Sequence, residues 1–491
     1  MSTPPGGSGP ELRLHSSRGR WVVTAAVLGS AVAFIDGTVV NAALPAISHD
    51  LHAGLGGLQW VVSAYLLTLG ALLVVGGSLG DLFGRRRIFV IGLVGFGITS
   101  ALSGAAPTIE TLIAARALQG VAAALLVPGS LAIISASFRP EDRGAAIGAW
   151  SGLSGVSTAI GPFLGGFLID SVSWRLVFFI NPPIVLVTAI LAYRHIPETR
   201  DETASRHVDV LGGGVLALGL AGVVYALIEG PSHGWAPTSV ALAIIGVAAL
   251  LMFVVVERRS PAPMVPLEIF RSRQFSGANA VTFLVYGALG GVTFLLVVHL
   301  QTDLGYSALG AGASLIPLTV LMLAFSARMG ALAQRIGPRL PMTVGPIIAG
   351  VGVALLARVQ PGTSYWTTVL PAAIVLGAGL TMTVAPLTAA VLAAVEDRHA
   401  GIGSAINNAV SRIAGLLAVA VLPGLAGLAT ASGSLDLVHG FARAMYICAG
   451  LAVAGGALAW LTIRRSVPVQ SVTTATPIAC QDPALRQAAV A

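Results

Sequence analysis

The chain has no lysine, two cysteines and few charged residues, and each shortage excludes a class of protein. Only 10% of its 491 residues are charged, whereas soluble globular domains average about 25%. Because all 27 basic residues are arginine, the chain has neither the lysine of a P-loop ATPase nor that of a pyridoxal phosphate enzyme. Cys448 lies in an apolar run and Cys480 in a polar tail, which excludes a disulfide scaffold. Any uphill work must draw on an ion gradient or a partner subunit.

Long apolar runs dominate the chain instead. Hydrophobic residues make up 55% of the sequence, and glycine, which lets membrane helices pack closely, occurs 60 times. About 20 apolar residues cross a bilayer core as a helix, and fourteen such runs are present. They cover residues 21–44, 58–79, 88–106, 111–135, 145–169, 176–193, 210–228, 238–256, 276–300, 308–331, 340–357, 366–391, 400–425 and 441–461. The sequence therefore predicts an all-α integral membrane protein with 14 transmembrane helices.

The arginines mark one side of the predicted membrane. With the N-terminus placed in the cytoplasm, 21 of the 27 fall in cytoplasmic segments, whereas the outer segments hold Arg175, Arg358 and Arg443. This bias follows the positive-inside rule, and a wrong number of runs would scramble it. It predicts a multi-pass protein of the cell inner (plasma) membrane with both termini cytoplasmic. Since the cations do not cluster on one face, no nucleic-acid partner is expected.

A short repeat divides the chain into two related halves. Residues 77–86 (GSLGDLFGRR) and 330–339 (GALAQRIGPR) each lie between the second and third span of a six-span block. The predicted units are a disordered cytoplasmic N-terminus (1–20), a six-helix bundle (21–195), a linker with two inserted helices (196–275), a second six-helix bundle (276–463) and a disordered cytoplasmic C-terminus (464–491). Two bundles related by a parallel repeat are typical of secondary transporters.

Four motifs lie in or beside the runs of the first half: residues 35–45 (IDGTVVNAALP), 77–87, 112–124 (LIAARALQGVAAA) and 161–166 (GPFLGG). Together they resemble motifs of the major facilitator superfamily, specifically its fourteen-helix branch of drug:proton antiporters. The resemblance implies alternating access and export of lipophilic or cationic drug-like compounds in exchange for protons. A large apolar cavity with few charges would suit lipophilic cations.

Asp36 and Arg116 are the candidates for proton coupling. An aspartate inside a span costs about 2.5–3.5 kcal/mol at the helix centre, and burial favours its neutral form. A carboxyl group that switches between neutral and charged is what proton exchange requires. Arg116 keeps its proton, and the resemblance gives it a part in proton transfer. The alternatives are that Asp36 only bonds a neighbouring helix and that Arg116 snorkels to the nearby membrane surface.

The loop after the second run resembles the signature loop of the superfamily, and its candidate residues are Gly77, Asp81, Gly84, Arg85 and Arg86. The resemblance implies a latch between the two halves that holds the outward-facing state. The alternative is that the arginines only anchor the topology. The second copy has glutamine in place of the aspartate, so a matching latch in the second half is not expected.

Gly161, Pro162, Gly165 and Gly166 resemble the motif that the superfamily associates with antiporters. Proline removes a backbone hydrogen bond and kinks the helix, and glycines let another helix come close. We expect a hinge that bends during alternating access. Generic helix packing is the alternative.

The candidate substrate-cavity residues are Asn41, Trp60, Tyr65 and Arg412. We expect a small-molecule substrate, protons and the lipid bilayer as partners, a monomer, and no catalytic residues, metal or cofactor. Two alternatives remain for the function: a pH-independent facilitator or importer of a metabolite on the same fold, and a membrane sensor or envelope-lipid component without transport of its own.

Overall fold

The computed structural model describes residues 12–201, 208–260, 263–395, 400–428 and 437–465. In these residues the chain forms sixteen α-helices and a short 3-10 helix, Leu267–Arg271. The helices are α1 (Ser17–Leu51), α2 (Leu55–Phe83), α3 (Arg85–Gly104), α4 (Ile109–Ser137), α5 (Pro140–Ser171), α6 (Leu176–Phe179), α7 (Asn181–His195), α8 (Val210–Ser232), α9 (Pro237–Arg259), α10 (Arg273–Thr302), α11 (Ala308–Ala313), α12 (Ile316–Ile336), α13 (Arg339–Leu356), α14 (Val369–Leu392), α15 (Ala400–Leu425) and α16 (Leu437–Thr462).

The helices account for the predicted spans. Among the described residues, thirteen segments are long and apolar enough to cross a bilayer, and the 32-residue α5 is long enough to be the fourteenth span. Two spans consist of two helices each, α6 with α7 and α11 with α12. Pro182 and Pro317 stand in the first turns of α7 and α12, where a missing N–H group costs no helical hydrogen bond. The predicted all-α membrane fold is confirmed.

Residues 12–20 are ordered, so the predicted disorder of the N-terminal segment is wrong for them. Helix α1 begins at Ser17, and its N-cap Ser16 accepts a hydrogen bond from the Gly19 N–H. The Leu12 N–H group donates to the Ser137 carbonyl oxygen at 2.8 Å. The bond from Leu12 ties the segment to the end of α4, a constraint that its polar composition did not reveal. Residues 1–11 and 466–491 lie outside the described residues.

Each half of the chain repeats one packing pattern. In the first bundle (α1–α7), α2 packs against α4, α3 against α4 and α7, and α1 against α5. In the second bundle (α10–α16), α12 packs against α14, α13 against α14 and α16, and α10 against α15. Gly84 and Gly337, at equivalent positions of the repeat, both have positive φ angles, 111° and 86°. The parallel repeat is therefore present in the structure as well as in the sequence.

The second span of each bundle contacts the fifth span of the other bundle. Helix α2 packs against α15 and α5 packs against α11, while the inserted helices α8 and α9 pack together, with α8 against α2 and α15. We call the end of the molecule that holds Arg18, loop 84–87 and Arg339 the arginine-rich end. The end that holds Asp50, Asp170 and Asp303 is the opposite end.

Candidate functional site

An aspartate and an arginine from different helices meet inside the first bundle. Asp36 on α1 and Arg116 on α4 are 0% and 1% exposed, and Arg116 Nη1 lies 2.5 Å from Asp36 Oδ2. The structure thus brings together the two residues predicted for proton coupling, although 80 positions separate them in the chain. Arg116 points at the carboxylate and does not snorkel toward the membrane surface.

Two amide side chains hold this ion pair. Gln119 Nε2 and Asn181 Nδ2 donate hydrogen bonds to Asp36 Oδ1 at 2.9 and 3.3 Å. Arg116 also donates to Gln119 Oε1 at 2.8 Å and to the carbonyl oxygen of Val61 at 3.2 Å. Gln119 and Asn181 were not predicted as site residues from the sequence. A polar amide within an apolar run is the pattern that could have identified them.

The aromatic ring of Tyr65 packs against the ion pair. The centroid of its ring lies 4.4 Å from Arg116 Cζ, and its hydroxyl donates to the Ala33 carbonyl oxygen at 3.3 Å. A cation held against an aromatic face in a dry site gains about 2 kcal/mol. Tyr65 is 1% exposed, so this predicted cavity residue supports Arg116 in the present conformation and does not face open space.

The two charges stabilise each other because they are in contact, and their burial reduces the screening of this attraction by solvent. Breaking a buried pair by removing one partner costs about 3–5 kcal/mol. A proton on Asp36 cancels its charge and leaves Arg116 with the neutral acceptors Gln119 and Val61. The arrangement therefore offers one position in the bundle where a proton changes the local balance of charge.

The glycine motif of α5 contacts α1 and, across the bundle interface, α11. A Cβ atom at Gly161 would overlap Thr38, and one at Gly165 would overlap Val39, both on α1 just after Asp36. On another side of α5, a Cβ atom at Gly166 would overlap Leu309. The Pro162 carbonyl likewise leaves no room for a Cβ atom at Gly312 of α11. The four predicted hinge residues thus form a close-packed joint between α1 and α11.

The charged residues of the predicted latch bind the end of their own bundle. Asp81 Oδ1 accepts a hydrogen bond from Arg85 Nε at 2.8 Å, and the Arg85 N–H donates to the Thr199 carbonyl at 3.0 Å. Arg86 Nε lies 3.5 Å from Glu198 Oε2. In the part of the chain that the structure describes, these partners all lie in residues 81–199. No contact of these side chains with the second bundle is described in this conformation.

The glycines of the predicted latch fit the local backbone conformation and helix packing. Gly84 has a φ of 111°, a backbone conformation that favours glycine, and a Cβ atom there would lie 2.6 Å from Glu198 Oε1 and displace that carboxylate. Gly77 faces Pro128 of α4, with room for ordinary contact.

The predicted cavity residues have different surroundings. Trp60 Nε1 donates to Glu229 Oε1 of the inserted helix α8 at 3.1 Å. Asn41 is half-buried on α1, between Asp36 and the opposite end of the molecule. Arg412 on α15 places its Cζ atom 5.7 Å from the ring centroid of Phe34 on α1, at the interface of the two bundles.

The hydrogen bonds described between the two bundles lie at the opposite end. They join Gln59 to Val419, Gln301 to Ala42, and Asp170 to Ala308 and Leu309. None of these residues was selected from the sequence, since their partners come from the other half of the chain.

The model of the Major Facilitator Superfamily matches residues 26–419. The chain belongs to the major facilitator superfamily. It is therefore a multi-pass membrane transporter of small molecules and not an enzyme.

Other members of the superfamily match the chain over most of its length. It is 36% identical to a puromycin resistance protein of Streptomyces alboniger over 90% of this chain and 91% of that protein. It is 33% identical to a tetracenomycin C resistance and export protein of Streptomyces glaucescens, over 82% and 76% of the two chains. These relatives confirm the resemblance to drug transporters. The crystal structure of a D-xylose–proton symporter shares the fold, with a TM-score of 0.64 at 15% identity over 91% and 99% of the two chains.

Proposed function

We propose that the chain is a secondary active transporter that exports lipophilic drug-like compounds in exchange for protons by alternating access. The observation that carries the proposal is the buried ion pair of Asp36 and Arg116. Ionisable side chains inside a membrane are costly and mark ion or substrate pathways. Export as the direction is supported by the resistance and export functions in the names of the relatives.

Proton binding at Asp36 is the coupling step of this mechanism. A proton from outside neutralises the carboxylate, and Arg116 loses its ionic partner. Asp36 lies beside the contact between α1 and the glycine motif of α5, and α5 in turn contacts α11 of the second bundle. The charge of Asp36 therefore acts on helices that join the bundles. Each proton that returns inward supplies about 2.3 kcal/mol per 100 mV of membrane potential.

We place the arginine-rich end in the cytoplasm, with both termini there and the protein in the plasma membrane. The positive-inside rule supports this orientation. With the bundles joined by hydrogen bonds at the opposite end, the structure then corresponds to an inward-facing state. One chain supplies both bundles (21–195 and 276–463) and the inserted pair within 196–275, so a monomer suffices.

The latch belongs to the other state of the cycle. When the outer end opens, the arginine-rich ends of the bundles approach each other, and loop 77–87 comes near the second bundle. Asp81 and Arg85, which now pair with each other, then have new partners within reach.

The test is proton-driven efflux from proteoliposomes. Wild-type protein should expel tetracenomycin C, which carries no amine, against its gradient when a pH gradient is imposed, and a protonophore should abolish this. Asp36→Asn should bind the compound and let it equilibrate, but should not concentrate it. The matched control is Asp50→Asn on the same helix, which removes an exposed acid bonded to Trp174 and should leave coupling intact.

Two outcomes would contradict the proposal. Concentrative efflux by Asp36→Asn would show that another group couples the proton. Equilibration by the wild type without any response to pH would indicate a facilitator.

A further inference from the structure

Arg412 is a cation at the bundle interface, and none of the ion pairs of the described residues includes it. It lies near the middle of α15, and its Cζ atom is 5.7 Å from the ring centroid of Phe34, two residues before Asp36. Its Cβ atom would lie 3.5 Å from a Cβ atom at Gly70 of α2. The side chain therefore faces the first bundle at the level of Asp36. Its Nε atom is buried and has no hydrogen-bond partner among the described residues.

The acids of the described residues leave Arg412 uncompensated. Both oxygens of Asp36 are occupied by Arg116, Gln119 and Asn181. The other described acids stand in loops or toward helix ends: Asp50, Asp81, Glu110, Glu141, Asp142, Asp170, Glu198, Asp201, Asp209, Glu229, Glu257, Glu268 and Asp303. Since Asp36 and Arg116 cancel, Arg412 leaves the described centre with a net positive charge.

A positive centre discriminates between substrates by charge. A guanidinium group presents a planar fork of donors that fits a carboxylate with two hydrogen bonds. When the bundles close and water leaves, an unsatisfied cation is costly, and a bound acid removes that cost. A cationic group beside Arg412 would be repelled instead. Phe34 offers an aromatic face next to the same guanidinium.

We propose that Arg412 binds the carboxylate of aromatic, lipophilic acids, which makes such acids the preferred substrates and disfavours the cationic compounds expected from family resemblance. This inference rests on the proposed transport function and deepens it. Export of an anion is also favoured by a membrane potential that is negative inside, by about 2.3 kcal/mol per 100 mV.

The test uses three probes on one scaffold: 1-pyrenebutyrate, 1-pyrenebutanol and 1-pyrenebutylamine, which are an acid, a neutral alcohol and a cation. Binding to the full chain in nanodiscs is measured by fluorescence anisotropy, with empty nanodiscs as the blank. The wild type should bind the acid most tightly and the amine most weakly. Arg412→Gln should lose about tenfold or more in affinity for the acid, as expected for a lost charged hydrogen bond, with little change for the alcohol.

Two further variants separate binding from folding. Arg412→Lys keeps the charge but not the fork, and should retain part of the preference for the acid. Arg358→Gln removes an exposed arginine after α13 and should change nothing. Tighter binding of the amine than of the acid, or an equal loss for all three probes in Arg412→Gln, would overturn the assignment.

Failure of this inference is distinguishable from failure of the proposed function. Asp36→Asn should still prefer the acid, because Arg412 is intact, while its proton coupling is lost. Proton-driven efflux of tetracenomycin C without any preference for acids would leave the transport function standing and remove the role of Arg412.

Discussion

At the scale of single residues, the Asp36–Arg116 pair predicts a strong energetic coupling. Arg116→Met leaves the buried carboxylate unpaired and should lower the free energy of unfolding by about 3–5 kcal/mol. In an Asp36→Asn background the same change should cost less than half as much, because no charge is left alone. Denaturation in detergent micelles, followed by circular dichroism, measures all four corners of this cycle.

An exposed pair provides the comparison. Arg175 Nη2 lies 3.0 Å from Asp50 Oδ2, with the two side chains 32% and 48% exposed, and exposed pairs contribute at most about 1 kcal/mol. Asp50→Asn, which removes one charge of this exposed pair, should therefore cost far less than Arg116→Met. Additive effects of Arg116→Met and Asp36→Asn would argue against a functional ion pair.

The sequence located Asp36 and Arg116 but not their pairing. Each stands out as a charge in an apolar run, and that pattern needs no structure. Their contact depends on the rotation and depth of α1 and α4, and each residue added to a helix turns it by about 100°, so small errors in the ends of the runs hide it. Trp60 and Tyr65 were harder to place, since aromatic side chains serve equally in cavities and in packed interiors.

At the scale of elements, α5 carries two kinds of glycine. Gly161 and Gly165 have no room for a Cβ atom against α1, whereas nothing lies within 4 Å of a Cβ atom at Gly144 or Gly148. Gly161→Ala and Gly165→Ala should each destabilise the protein by about 1–3 kcal/mol through overpacking. Gly144→Ala and Gly148→Ala should be neutral or stabilising by up to about 1 kcal/mol, since alanine favours the helix.

Thermal unfolding of the four variants separates close packing from general intolerance of α5 to alanine. Equal destabilisation at all four positions would contradict the assigned joint. The sequence predicted the motif as a hinge, and the structure adds which helices meet there. That could not be predicted, because Leu309 of α11 contacts Gly166 from the other half of the chain.

At the scale of the whole molecule, α2 packs against α15 and α5 packs against α11, so the interface between the bundles has approximate two-fold symmetry. The repeat in the sequence indicated two related bundles. It did not indicate which ends are joined, because one fold must support both states of an alternating-access cycle, and the energy difference between such states is a few kcal/mol.

Asp170 is the residue whose loss should open the joined end. Its Oδ1 and Oδ2 atoms accept hydrogen bonds from the N–H groups of Ala308 and Leu309 in the other bundle, at 3.0 and 2.9 Å. Asp170→Ala removes both bonds and should increase the population of molecules that are open at this end. Spin labels are attached at residues 172 and 366, exposed positions of the two bundles at this end, in protein with Cys448 and Cys480 replaced. Pulsed electron paramagnetic resonance should then show a larger fraction of the longer distance between the two labels. A shift of about tenfold in the ratio of states corresponds to about 1.4 kcal/mol, within what charged hydrogen bonds supply.

The control is Asp50→Ala, which removes an acid at the same end whose partners Trp174 and Arg175 lie in its own bundle. This variant should leave the distances unchanged. Equal widening in both variants would show that loss of any acid loosens this end, and the contact between Asp170 and α11 would then have no special part in closing it.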